Sequence, residues 1–370
     1  LSKNARARAV QLPAWNEALG LPRPWDQQWS MRMQQIMAFE TDLLEYEDLF
    51  DGNPTIEAKV ARLKDEARHE LASLDALGGA IEAIGYMKSR LVESNTQRLN
   101  KIASKETTVV GVNKFTTGEP SPLTAGDGGI MTVDPAVEQD QVDRLNAWRS
   151  ARDDASVATA LRSLRAAARA GENIMPASIA AAKAGVTTGE WAAQMRLIYG
   201  EYRGPTGVAH GVSNQSEGLD EIRDAVDLVS QKLGRRLGFL MGKPGLDGHS
   251  NGAEQIAARA RDCGMKIAYD GIRLTPEQLI ASVQEHKPHV IGLSILSGSH
   301  IPLVEDMMKR LQLAQLDNIP VVVGGIIPQE DMMRLTAMGV AKIYTPKDFE
   351  LNAIMMDIVS LADPTDLAAE

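Results

Sequence analysis

The sequence predicts an α/β fold: a doubly wound parallel sheet in the last third of the chain, behind two thirds that are mainly helical. Three observations carry this. From Arg236 onward, short apolar runs alternate with stretches whose apolar residues recur at helical spacing, the pattern of successive βαβ units. The first run, Leu237 to Met241, passes straight into a glycine-rich loop, Gly242 to Gly252, that opens a helix. Such sheets bind ligands at that end of their strands. Upstream of Arg236 the apolar spacing is helical almost throughout, broken at Gly78-Gly79 and by the proline- and glycine-rich residues 118–129.

Taken in order, the elements divide the chain into three expected domains. Residues 1–116 hold a broken opening, a helical stretch from Met31 to Leu49, and a helical pair, Ile56 to Leu77 and Ala80 to Ile102. Residues 117–235 are a linker and belt, with helical stretches at Val142 to Arg149, Val157 to Arg169, Ser178 to Gly185 and Thr188 to Gly200. Thr187-Thr188-Gly189-Glu190 opens the last of these with capping residues. Residues 236–370 carry the sheet, with strands near Leu237–Met241, Lys266–Asp270, Val290–Ile295, Pro320–Gly324 and Ala341–Tyr344 and a closing helix from about Asp348 to Leu361. Right-handed crossovers and the flavodoxin-like order 2-1-3-4-5 put strands 1 and 3 side by side at the switch point.

Composition narrows the class. Apolar residues at 44% and charged residues at 24% over 370 positions are ordinary globular values. A net charge of -10 argues against nucleic acid or an anionic membrane surface as partner. No apolar run approaches the length that crosses a bilayer. The single cysteine, Cys263, on an apolar helix face, excludes a disulfide framework and suits a reducing cytoplasm. The chain opens on Leu1 without the apolar core of a signal peptide, so the expectation is a piece of a larger protein.

Chemistry concentrates in the loop after strand 1. Asp247 and His249 flank Gly248; a carboxylate that accepts one imidazole N–H fixes the tautomer and makes the other nitrogen a better metal ligand. The run Asp247, His249, Gly252 resembles the Asp-x-His-x-x-Gly signature of cobalamin-binding domains, with Lys243 four before the aspartate as in the acyl-CoA mutases. Two further stretches carry the resemblance, in order. Strand 3 ends in Ser294 and Leu296, the family's Ser-x-Leu, and strand 4 ends in Gly324-Gly325, its Gly-Gly.

The front of the chain extends the likeness. Asn16 to Pro22, within a longer match from Trp15 to Trp25, resembles the last strand-to-helix region of the TIM barrel in the methylmalonyl-CoA mutase family. Val109 to Phe115 is similar to the segment that closes that barrel, and Tyr344 to Asn352 also matches. Across the chain the resemblance is greatest to the ethylmalonyl-CoA mutases. It implies that residues 1–116 are the end of a TIM barrel and that 236–370 bind adenosylcobalamin, with His249 as the lower ligand of cobalt.

By the same resemblance, Asp247 orients His249, Lys243 pairs with Asp247, and Gly248, Ser250, Asn251 and Gly252 form the rest of the loop. Ser294 offers a hydroxyl to the displaced base, Leu296 and Gly298 shape the wall, and Gly324 and Gly325 bare the backbone to the nucleotide tail. Tyr344, Thr345 and Pro346 close its far side. Glu17 meets the adenosyl ribose, its plain alternative being an acid at a helix start. Pro13 stands where the methylmalonyl enzymes have asparagine, which points away from a methylmalonyl-type site.

The implied activity is a radical carbon-skeleton rearrangement between ethylmalonyl-CoA and methylsuccinyl-CoA. The expected partners are an acyl-CoA, a second copy in a homodimer and a G-protein chaperone that loads the cofactor. The fragment alone is expected to be inactive, because the barrel residues that read substrate are absent. Two classes compete besides methylmalonyl-CoA mutase. A methyltransferase's cobalamin carrier module would have a four-helix cap upstream instead of residues 11–115. A phospho-receiver needs an aspartate where strand 3 ends in Ser294.

Overall fold

The computed structural model describes residues 21–46, 50–118, 134–202, 204–206, 208, 218–346, 348 and 350–365. They fall into two compact units, one from 132 to 204 and one from the rest of the chain.

The larger unit is built on five parallel strands: β1 (Gly238–Gly242), β2 (Lys266–Ala268), β3 (Val290–Ile295), β4 (Val321–Gly325) and β5 (Lys342–Tyr344), in the order β2-β1-β3-β4-β5. This is the expected order. Its helices are α8 (Leu219–Leu233), α9 (Asn251–Asp262), α10 (Pro276–His286), α11 (His300–Leu313), α12 (Gln329–Ala337) and α13 (Leu351–Ala362). Strand alternation sorts the side chains into two cores. Phe239, Met241, Val290 and Val322 point to the face covered by α8, α9 and α13. Leu240, Ile291, Leu293, Ile295, Val321 and Val323 point to the face covered by α10, α11 and α12.

One helix falls in the stretch read as helical belt without having been singled out there. α8 lies before residue 236, where the cobalamin-binding domain was expected to begin, yet Leu219, Ile222, Val226 and Val229 are buried in the same core as Ile354, Met355 and Ile358 of α13. The stripe is amphipathic and ends at Gly234 in the left-handed conformation, φ 67°, a common helix stop.

Ahead of it the same unit contains α1 (Pro24–Phe39), α2 (Pro54–Ala76) and α3 (Ile84–Ala103). The helix read as Met31 to Leu49 starts earlier and stops earlier. Pro24 occupies the first turn, and Asp26 accepts hydrogen bonds from the backbone and side chain of Arg23. Thr41 then caps a separate 3₁₀ turn, Asp42–Leu44. Val110 and Lys114 form a single bridge around a turn at Gly111, φ 79°. The barrel strand-to-helix stretch expected at Asn16 to Pro22 lies mostly outside the described residues.

The smaller unit is helical: α4 (Pro135–Ala151), α5 (Asp154–Arg169), α6 (Met175–Lys183) and α7 (Thr188–Tyr199). Its joints are polar. Thr187 and Glu190 form the capping box read from the sequence, and Arg152 holds Glu190 through two bonds at 2.6 and 2.7 Å. That bidentate pair lowers the Glu190 carboxyl to about 2, against the opposing effect of its partial burial.

Candidate functional site

The sheet face under α9 and α13 is short of side-chain volume near the strand ends. Alternation puts Gly292 and Ser294 of β3 on the same face as Phe239, Met241 and Val322, with Gly324 next along β4. A cavity of about 350 Å³ opens over these small residues. One wall is α9, through Gly252, Gln255 and Ile256; another is α13, through Leu351, Ile354 and Ile358. Tyr344, Thr345, Pro346 and Asp348 close the end beyond β5.

The glycines have different reasons. A Cβ on Gly324 would meet nothing within 4 Å, so this residue leaves room in the cavity itself. A Cβ on Gly325 would lie 1.9 Å from the carbonyl oxygen of Ile295. Gly325 lines the cavity too, but close backbone packing already requires glycine there. Gly292 likewise makes room for Phe239, whose Cζ would lie 2.6 Å from an added Cβ.

The loop between β1 and α9 sits at the cavity rim, bracketed by Met241 and Gly252 on the wall. Asp247 is its fixed point. Its Oδ2 accepts from Lys243 Nζ at 2.7 Å and from the Leu296 N–H at 3.0 Å. Its Oδ1 accepts from the His249 N–H at 3.0 Å and meets His249 Nδ1 at 2.6 Å. Lys243 is fully buried and donates also to the carbonyl of Ser294 at 3.3 Å, which ties the loop to β3. Burial alone would raise the Asp247 pKa; the Lys243, His249 and Leu296 donors outweigh it and hold the carboxyl far below its ordinary range. An ionised carboxylate only accepts, so Nδ1 carries the imidazole proton and Nε2 keeps its lone pair. The His249 side chain is 79% exposed, so that lone pair is open to a ligand.

The remaining expected residues divide between wall and rim. Ser294 is buried on the wall and Leu296 lines it. Gly248, Ser250, Asn251 and Gly298 are not among the residues that line the cavity. Ser250 precedes α9, Asn251 starts it, and Gly298 is in the turn between β3 and α11. Tyr344 donates to Asp357 at 3.1 Å, and burial with that carboxylate nearby pushes its phenol far up. Glu17 and Pro13 lie outside the described residues.

Two parts of the wall went unread in the sequence. Asp348 lines the cavity and accepts from the N–H and hydroxyl of Thr345 at 2.7 and 3.1 Å. Asn95 and Leu99 of α3 form a further wall. Their signal was Thr96, a polar residue on the buried stripe between Val92 and Ile102. Its hydroxyl donates to Gln255 Oε1 of α9 at 2.8 Å, and Gln255 Nε2 donates to the Val92 carbonyl at 2.8 Å.

A cofactor that brings its own metal fits this arrangement on two observations. The exposed Nε2 offers one oriented donor, and the open space at Gly324 offers an apolar cradle for an appended tail.

The comparisons agree with the geometry. A family model described as B12 binding domain matches residues 238–348, the sheet and its loop. The chain is 69% identical over 370 residues to an ethylmalonyl-CoA mutase of Cereibacter sphaeroides, covering 100% of this chain and 57% of the relative. It is 58% identical to an ethylmalonyl-CoA mutase of Methylorubrum extorquens, covering 98% and 53%, and 30% identical to the methylmalonyl-CoA mutase of Escherichia coli, covering 96% and 50%. The chain thus spans about half the length of the curated relatives it matches. A model described as Methylmalonyl-CoA mutase matches residues 5–201, just over half of the chain and all of its described helices ahead of α8. With the cofactor domain behind that segment, the chain belongs to the methylmalonyl-CoA mutase family.

Proposed function

We propose that the whole protein is an adenosylcobalamin-dependent carbon-skeleton mutase that interconverts ethylmalonyl-CoA and methylsuccinyl-CoA, and that this chain supplies its cobalamin-binding part. The observation that carries the reading is His249, with Nδ1 held 2.6 Å from Asp247 and its side chain 79% exposed, on the loop that joins Met241 and Gly252 of the cavity wall. His249 is the lower ligand of cobalt in this reading, and Asp247 sets its tautomer and aim. The cavity would take the nucleotide tail, held by Ser294 on β3 and by Tyr344, Thr345 and Pro346 beyond β5.

When bound, the cofactor supplies homolysis of a cobalt–carbon bond, and the protein supplies placement and exclusion of water. Lys243 and the Leu296 N–H keep Asp247 ionised, so the imidazole proton stays on Nδ1. The apolar walls from α9 and α13 keep the tail dry. The identities of 69% and 58% to ethylmalonyl-CoA mutases favour that thioester over methylmalonyl-CoA. An acyl-CoA substrate, a homodimer, a G-protein chaperone for loading and a cytoplasmic setting belong to the same reading. No helix among the described residues is long and apolar enough to cross a membrane.

The test pairs this chain with the whole protein. This chain mixed with cobalamin should show nitrogen hyperfine splitting from an imidazole in the Co(II) EPR spectrum, lost in His249→Ala. The whole protein should convert ethylmalonyl-CoA in preference to methylmalonyl-CoA, followed by chromatography of both thioesters. Splitting that survives His249→Ala removes the ligand assignment. Turnover of methylmalonyl-CoA alone moves the protein to the other subfamily, and methyl transfer without thioester turnover makes it a carrier module.

A further inference from the structure

We infer that Lys88 on α3 is a positioning residue for the cobalt ligand, gripping the downstream shoulder of the His249 loop through Ser250 and Glu254. The inference rests on the reading of His249 as lower ligand. His249 is held on its upstream side by Asp247, which Lys243 and Leu296 fix in place. On its downstream side the next residue is Ser250, at the N-cap of α9. A serine there ordinarily accepts a hydrogen bond from the first-turn N–H groups. Ser250 does not: its backbone is already helical, φ -90° and ψ -23°, and its side chain makes no capping bond. Its hydroxyl instead accepts from Lys88 Nζ at 3.0 Å, across 162 residues of sequence. The same Nζ pairs with Glu254 Oε1 in the first turn of α9 at 2.7 Å, where Glu254 is almost fully buried.

Lys88 reaches this shoulder from a firm base. Thr96, Gln255 and the Val92 carbonyl form a buried hydrogen-bonded set between α3 and α9, and Arg259 donates to Asn100 at 3.2 Å one turn further on. Buried hydrogen bonds between two helices restrain how the helices sit on each other. A lysine ammonium that bonds two groups at once restrains both their distance and their direction. The loop therefore has two anchors, Lys243 inside the sheet and Lys88 on the outside, with the ligand between them. Lys88 lies in the stretch matched by the mutase family model, and Ser250 and Glu254 in that matched by the B12 binding domain. The mutase segment thus reaches the residue next to His249.

The experiment uses the full 370-residue chain with cob(II)alamin, read by EPR and by titration of binding. Lys88→Met should weaken binding about tenfold, the lower range for partners that orient a metal ligand, and should reduce the share of cobalt that shows imidazole nitrogen splitting. Lys88→Arg, which keeps the charge and the reach, should restore most of that share. Ser250→Ala keeps the Lys88–Glu254 pair and should lower the share in the same direction, so it carries the test if Lys88→Met does not fold. Thr96→Val, which loosens the same helix interface without touching the loop, should lower that share less than Lys88→Met does. Parent-like spectra from Lys88→Met or Ser250→Ala overturn the inference. An equal change in Thr96→Val overturns it as well, since helix docking as a whole would then set the ligand. Absence of nitrogen splitting in the parent chain removes the His249 reading and this inference together, a result distinct from either variant's.

Discussion

Asp247 accepts from four donors at once, and the residues around it differ in what their loss would do. Lys243 is buried without exposure to water, so Lys243→Met leaves a buried carboxylate without its ammonium partner. Breaking such a pair costs about 3–5 kcal/mol, and urea unfolding should show it as a lowered midpoint even without cobalamin. An unchanged midpoint would mean the ion pair adds nothing to folding. The glycine pair on β4 gives a sharper contrast. Gly324→Leu projects into the open cavity and should fold normally while binding cobalamin at least tenfold more weakly. Gly325→Leu collides with the Ile295 carbonyl, so it should lower the unfolding midpoint and report on packing. Equal cobalamin affinity in Gly324→Leu and parent would place the tail elsewhere. From sequence the two glycines were indistinguishable, because only the direction of the missing Cβ separates them.

At the scale of elements, what was legible followed from periodicity. The strands β1 to β5, fully or mostly apolar and set between helical stretches, could be read within a residue or two. Their order followed from crossover handedness. The place of α8 was not legible, because its apolar stripe, Leu219, Ile222, Val226 and Val229, reads as one more helix of the belt. Nothing local says which sheet a helix will cover. Its membership can be measured: Ile222→Ala should destabilise the α/β unit by about 2–5 kcal/mol, seen in urea unfolding followed at the buried strands. If α8 were only a connector, the midpoint would stay where it is. The wall from α3 was illegible for a related reason. Asn95 and Leu99 precede Gly324 by more than two hundred positions in the chain, and their side of the cavity exists only once α3 packs on α9.

Across the larger unit as a whole, proton binding should make stability depend on pH in two separate windows. His289 Nδ1 accepts the Gly238 N–H at 2.8 Å at the start of β1. Burial first, and then the nearby Arg235, lower its pKa from 6.5 to about 4. Between those values the unfolded chain takes up a proton that the folded chain refuses, so stability falls as pH drops from 6.5 towards 4. Asp247 acts lower down. Its folded carboxyl stays ionised below the ordinary value of 3.8, where the unfolded one binds a proton, so stability falls further as pH drops below that value. The sign is the same in both windows, with stability lost towards acid, but the groups are independent. Urea midpoints taken from pH 7 to pH 3 should therefore decline in two legs. His289→Gln can still accept the Gly238 N–H without titrating, so it should flatten the upper leg and leave the lower one. Asp247→Asn should leave the upper leg and make the lower one shallower, the rest of it belonging to Asp363, lowered to about 2 by its bond to Lys232, and to Glu277. A parent midpoint that stays level between pH 6.5 and 4 would show that His289 is protonated as readily in the folded chain as in the unfolded one.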